Sequence, residues 1–191
     1  MKTNALLQNL QAAVRRLQTV VETELKPLSS EVLNAKARPE SWSVLECLEH
    51  LNRYSRYYNP AFAQALQPAR QPVSEAAEVR YSWLGRKSLD IVRPGNGKAS
   101  KTVKHMNPAG SRLSRGVLDE FLQHQQELLT LLANAQAADL NQKAVPVEFF
   151  KLLKLRTGEA LEFVVLHEER HMQQAQRAAQ HAQVTAPVLM V

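Results

Sequence analysis

The chain has 191 residues, with 24 Lys and Arg against 18 Asp and Glu, a formal charge of +6. A hydrophobic share of 45% and a charged share of 22% mark a folded globular chain and exclude wholesale disorder. Six glycines and nine prolines are too few turn formers for an all-β sandwich, and the single Cys47 excludes an internal disulfide, a CxxC pair and a multi-cysteine metal site.

The lone cysteine fits a reducing, cytoplasmic setting. No apolar run is long enough to cross a bilayer, and the N-terminus leads into a mixed polar and apolar pattern rather than a signal-peptide core. The first predicted helix spans about 3–25. Leu6, Leu7, Leu10, Val14, Leu17, Val21 and Leu25 recur at helical spacing, and Pro27 closes it. A polar connection, 29–40, follows. Ser43 and Glu46 form an S-x-x-E capping box with Trp42 as a staple before it, so the second helix starts at Ser43 and ends before Pro68. Its stripe is Val44, Leu48, Leu51, Ser55, Tyr58 and Phe62, with Cys47, His50, Tyr54 and Tyr57 beside it.

Periodicity is poor over 67–110, which Pro and Gly punctuate. A short element, read as helical, interrupts it at 76–84. A connection of this length is often functional. The third helix spans about 111–137, with Val117, Leu118, Phe121, Leu128, Leu129 and Leu132 as its stripe. The fourth starts at Thr157 and reaches about 183, with Ala160, Phe163, Val164, His167, His171 and Gln174 on one face. The expected fold is all-α: one four-helix bundle domain over 1–191 with a long connection between helices 2 and 3.

His167 and His171 are four apart, so their imidazoles project within about 40° of each other on the inward face. His50 lies in mid-helix 2 on a side that can also turn inward. Three imidazoles from two helices give a facial nitrogen site with a coordination position open for water or substrate. Against this stands the commoner fate of a histidine, a hydrogen-bonded core or surface side chain. Glu168 and Glu169 are read as solvent-side, and the second histidine as one residue late for an H-E-x-x-H motif, which together disfavour a zinc-protease helix. Arg170 is read as an anion contact or a salt-bridge partner of Glu46 or Glu49.

The segment Pro39-Glu40-Ser41-Trp42-Ser43-Val44-Leu45-Glu46-Cys47-Leu48-Glu49-His50-Leu51 resembles the W-S-x-x-E-x-x-x-H-L signature of the DinB-like superfamily. His167-Glu168-Glu169-Arg170-His171-Met172-Gln173-Gln174 is similar to that family's closing H-x-x-R-H-x-x-Q motif. The resemblance covers about 5–180. It implies a divalent metal, zinc or nickel, held by His50, His167 and His171, and a homodimer. Among the activities it implies is transfer of a low-molecular-weight thiol, such as bacillithiol or mycothiol, to a small electrophile.

Other candidates carry ordinary readings beside functional ones. Cys47, one turn before His50, is first a small buried hydrophobe and second a group near the metal. Tyr54, one turn after His50, is a packing residue or a substrate contact. Gln174 holds a ligand imidazole or makes an inter-helix contact. His124 is the substitute ligand, and His105 and His181 are read as solvated. The segment 80–115 holds nine bases and one acid, Asp90, with Tyr81 and Trp83 interleaved. That local +8 leaves the rest of the chain, 15 bases against 17 acids, near neutral. The segment reads as a solvated cover over one bundle end, a lid that attracts an anionic substrate, or a binding surface for an anionic partner, with nucleic acid disfavoured.

Overall fold

The computed structural model describes residues 1–66, 77–96, 102–148 and 150–185. Helix α1, Thr3–Val20, continues through a widened π turn at Val21–Leu25, so the predicted first helix forms as one rod that ends ahead of Pro27. The polar connection contains one helical turn, α2, Ser30–Asn34, capped by Ser29. Helix α3, Val44–Ala65, starts where the capping box places it. The Ser43 hydroxyl accepts from the Glu46 amide at 3.2 Å, and the Ser43 amide donates to Glu46 Oε2 at 2.9 Å.

Where the chain is described, the element expected at 76–84 is helical only at its last two residues, 83 and 84. Residues 77–82 run extended, with Glu78 bridged to Lys2 and the Val79 amide donating to the Met1 carbonyl. Backbone pairing to the N-terminus overrides the local helical preference. Residue 76 itself lies outside the described residues. The helix of this region, α4, is Trp83–Val92, capped by Ser82. It packs on the last long helix at Gly85, where a Cβ would run into the Glu159 carboxylate. That carboxylate accepts from the Ser82 amide and, at 3.0 Å, from the Arg156 amide.

Helix α5, Gly116–Asn134, starts five residues later than expected. Leu113 is held instead by Asn34, through Leu113 N–H to Asn34 Oδ1 at 3.0 Å and Asn34 Nδ2 to the Leu113 carbonyl at 3.1 Å. A hairpin, β1 Lys143–Val147 and antiparallel β2 Phe150–Arg156, then precedes α6, Thr157–Thr185. The hairpin is absent from the sequence-based expectation. Its register shifts twice, so β2 shows no clean alternation to read.

The long helices α1, α3, α5 and α6 form the bundle. α1 and α3 each pack on both α5 and α6, and so stand at opposite corners. The fold is all-α in class, with α4 inside the long connection between α3 and α5. Its apolar interior falls into two blocks. One gathers Leu6, Leu10, Tyr58, Phe62, Leu128 and Leu161, and the other Leu17, Leu25, Leu45, Leu48, Phe121 and Met172. His50 and His167 lie at the seam, so the polar chemistry sits between two packed layers. Among the described residues no helix is long and apolar enough to cross a membrane.

Candidate metal centre

Three side chains from two helices converge: His50 from α3, His167 and His171 from α6. Their ligand-capable atoms lie within 4.8 Å of one another. Among the described residues this is the one such group of three or more His, Cys, Asp or Glu. His50 and His167 are buried and His171 is half-buried.

Hydrogen bonds on the outer nitrogens set which inner nitrogens are free. His50 Nδ1 lies 2.8 Å from the Met106 carbonyl, which only accepts, so Nδ1 carries the proton and Nε2 faces inward with its lone pair. His171 Nδ1 lies 3.0 Å from Gln174 Oε1, with the same consequence. His167 Nε2 is 3.2 Å from His50 Nε2, while His167 Nδ1 is buried with no hydrogen-bond partner. Without a cation, His167 donates to His50 and leaves its own Nδ1 an orphan acceptor. With one, both Nε2 lone pairs have a common partner. The 3.2 Å separation is close to the roughly 3.3 Å between ligands of a tetrahedral ion with metal–nitrogen bonds of about 2.0–2.1 Å. The residues present therefore fit a divalent metal of the kind that takes imidazole.

Electrostatics agrees with that use. Burial, opposed by the Met106 hydrogen bond, pushes His50 down to about 4. Burial and the neighbouring His50 push His171 down to about 3. Burial first, then His171 and His50, holds His167 well below its ordinary value. All three imidazoles are neutral at pH 7, the form a metal needs. The same shifts bear on stability. Each folded-state value lies below the unfolded one near 6.5, so the unfolded chain takes up protons first as pH falls. Stability of the chelator-treated protein is expected to be complete above pH 6.5 and to decline from there through pH 4. Urea unfolding at a series of pH values measures it, and His171→Gln should flatten the slope.

A cavity of about 860 Å³ opens beside the histidines. Trp42, Tyr54, Tyr58 and Phe163 wall it on the bundle side, Ser88, Ile91 and Val92 of α4 on another, and Val147 and Leu155 of the hairpin on a third. The Trp42 ring stacks on His171 at 5.6 Å and meets His50 at 4.9 Å. Phe163 stacks on His167 at 5.9 Å, and Tyr54 lies 4.4 Å from His167. Burial pushes the Tyr54 phenol up to about 12, so it stays a proton donor. On the sequence alone neither Trp42 nor Phe163 is a candidate site residue. Trp42 was visible as the residue before the cap, and Phe163 as the apolar position one turn before His167.

Other candidates fall elsewhere. Cys47 is buried in the apolar block with Leu45 and Leu48, and burial pushes its thiol up. It does not line the cavity. Trp83 is 71% exposed and also lies outside the lining. Arg170 borders the cavity, but its guanidinium donates to the Ile91, Arg93 and Asn96 carbonyls at 3.3, 3.4 and 3.0 Å. It closes the C-terminal end of α4 rather than pairing with Glu46 or Glu49, whose cations are Lys36 for the one and Arg53 and Arg56 for the other.

Glu168 is buried, not solvent-side. Its Oε1 accepts from Gln125 at 2.9 Å across the bundle, and burial pushes its carboxyl up to about 8. His167-Glu168-Glu169-Arg170-His171 does have H-E-x-x-H spacing. With Glu168 turned to α5 and absent from the cavity lining, it cannot serve a metal-bound water as a protease glutamate does. His124 stands beside Glu120, away from the cluster, and His105 bonds Glu148. His181 is exposed near the end of α6. Of the basic stretch, Lys98 and Lys101 lie outside the described residues. Arg115 is tied down by donating to the Leu28 and Lys26 carbonyls.

Four long helices carrying three inward imidazoles beside a cavity define a helical bundle whose centre can hold a divalent metal. A model of the DinB superfamily matches residues 13–175, and the chain belongs to that superfamily. It is 28% identical over 151 residues to the uncharacterized protein YuaE of Bacillus subtilis (strain 168), covering 79% of this chain and 85% of that one. No solved structure gives a significant match.

Proposed function

We propose that the protein is a metal-dependent enzyme that holds zinc or nickel on His50, His167 and His171. It transfers a low-molecular-weight thiol to a small electrophile and works as a cytoplasmic homodimer. The observation that carries this reading is the pairing of three neutral imidazoles, their ring nitrogens within 4.8 Å of one another, with a cavity large enough for two small reactants. A divalent cation held there supplies Lewis acidity that favours the deprotonated form of a bound thiol or water.

The protein's own residues supply the rest. The Met106 carbonyl and Gln174 orient His50 and His171. Trp42, Tyr58 and Phe163 exclude water from one side of the reacting groups, and the Tyr54 phenol offers a proton for hydrogen bonding. Cys47 is sealed in the core, so the attacking sulfur comes from a cosubstrate. Sulfur bonds to the electrophilic carbon as the leaving group departs with the bonding electrons, and the thiol proton passes to solvent. The local +8 over 80–115 favours an anionic thiol by long-range attraction.

The test is a screen of bacillithiol, mycothiol, glutathione and cysteine with a chromogenic electrophile, on protein purified without a nickel column. Turnover with at least one thiol, lost on chelation and restored by metal, is the expected result. Stoichiometric metal with no turnover for any thiol refutes the transferase reading and leaves the metal centre standing.

A further inference from the structure

We propose that a second cleft, behind the wall of the histidine cavity, binds a small organic anion: a carboxylate or sulfonate on an aromatic or short apolar body. The cleft has a volume of about 560 Å³ and lies between the C-terminal half of α3 and the hairpin. Tyr57, Ala61 and Pro146 give it apolar surface, and Lys143, Lys151 and Lys154 stand around it. Among the described residues no carboxylate lines it. Among the described residues none of the three lysines forms an ion pair, although nine such contacts occur elsewhere. Lys151 Nζ lies 5.9 Å from the centre of the Tyr57 ring.

Three exposed lysines border one open groove, so its local charge is positive and attracts an anion. The aromatic and aliphatic surface beneath favours an anion that brings its own apolar surface. The Tyr57 ring and Pro146 among the lysines favour an anion that carries a flat apolar body over a bare phosphate.

The cleft is separate from the metal centre, since none of the described residues lines both spaces. The division runs between chain neighbours. Tyr57 faces the cleft and Tyr58 the histidine cavity, and the same holds for Pro146 and Val147 and for Lys154 and Leu155. The Tyr57 and Tyr58 rings meet edge to face at 5.0 Å. A ligand in the cleft therefore rests on the back of the wall that shapes the cavity.

Calorimetric titration of the full chain with 2-naphthoate at low salt tests the site. One saturable site is expected, and Lys151→Gln with Lys154→Gln should weaken it by about tenfold or more, as loss of charge-assisted contacts does. Ala61→Trp, which fills the cleft, should abolish it. His171→Ala should leave the affinity within about twofold, because that site is separate. Absence of saturable binding, equal affinity in the double lysine variant, or loss in His171→Ala with retention in the lysine variant overturns the proposal. Phe150, Leu152 and Leu153 are exposed beside the same lysines, so phosphatidylserine–phosphatidylcholine vesicles form a second arm. Co-sedimentation with vesicles and no binding of free naphthoate also overturns it, and assigns the lysines to a membrane surface.

Discussion

His167→Ala is expected to lower divalent-metal content from about one ion per chain to below about one tenth, measured by elemental analysis after gel filtration. The reason lies in the position of His167 among the three. Its Nε2 is 3.2 Å from that of His50, and its ring is clamped between Phe163 and Tyr54. Removing it leaves His50 and His171, and two imidazoles hold a divalent ion far less firmly than three. The fold should survive, because the change also removes a buried nitrogen with no partner, His167 Nδ1. Retention of full metal content in this variant would show that the ion lies elsewhere. Gln174→Ala frees His171 Nδ1 and should weaken metal binding by about 10–100-fold, the range for groups that orient a ligand.

Glu46→Leu is expected to destabilise the protein by about 3–5 kcal/mol, the loss that follows removal of one partner from a buried charged network. Glu46 is fully buried. Its Oε2 accepts from the Ser43 amide, and its Oε1 accepts from the Gly110 amide at 2.7 Å and from Lys36 Nζ at 2.8 Å. One carboxylate thus starts α3, fixes the chain after Met106 and holds the loop before Trp42. Leucine fits the volume but leaves the buried Ser43 amide, the Gly110 amide and the Lys36 ammonium without their partner. Urea unfolding measures the loss. Metal affinity should also fall, since the Met106 carbonyl that orients His50 belongs to the segment that Glu46 anchors. A variant as stable as the parent would show that the network does not hold this end of the bundle.

Much of the fold is legible in the sequence because it is written in local chemistry. The capping box at Ser43, the stop at Pro27 and the stripe of α1 each depend on residues within one or two turns. Those elements form where they are expected. The histidine cluster is legible for a related reason. A four-residue spacing on α6 fixes two imidazoles together, and the family motif supplies the third. What the sequence did not show depends on partners distant in the chain. Residues 77–82 stay extended because Lys2 and Met1 pair with them. Arg170 finds the end of α4, about 75 residues away, rather than a carboxylate. Glu168 looks solvent-facing on a helical wheel that assumes one buried stripe. α6 is buried on more than one side, and only Gln125 on α5 reveals where that carboxyl points.

The sealed position of Cys47 has a practical consequence. The thiol is fully buried at the base of α3, in the block opposite the hairpin, and burial disfavours its reactive anion. An alkylating reagent can therefore reach it only when that block opens. With no second cysteine to compete for label, the rate of modification under native conditions counts those openings directly. The protein carries a built-in clock for its own unfolding, readable by mass without any added probe.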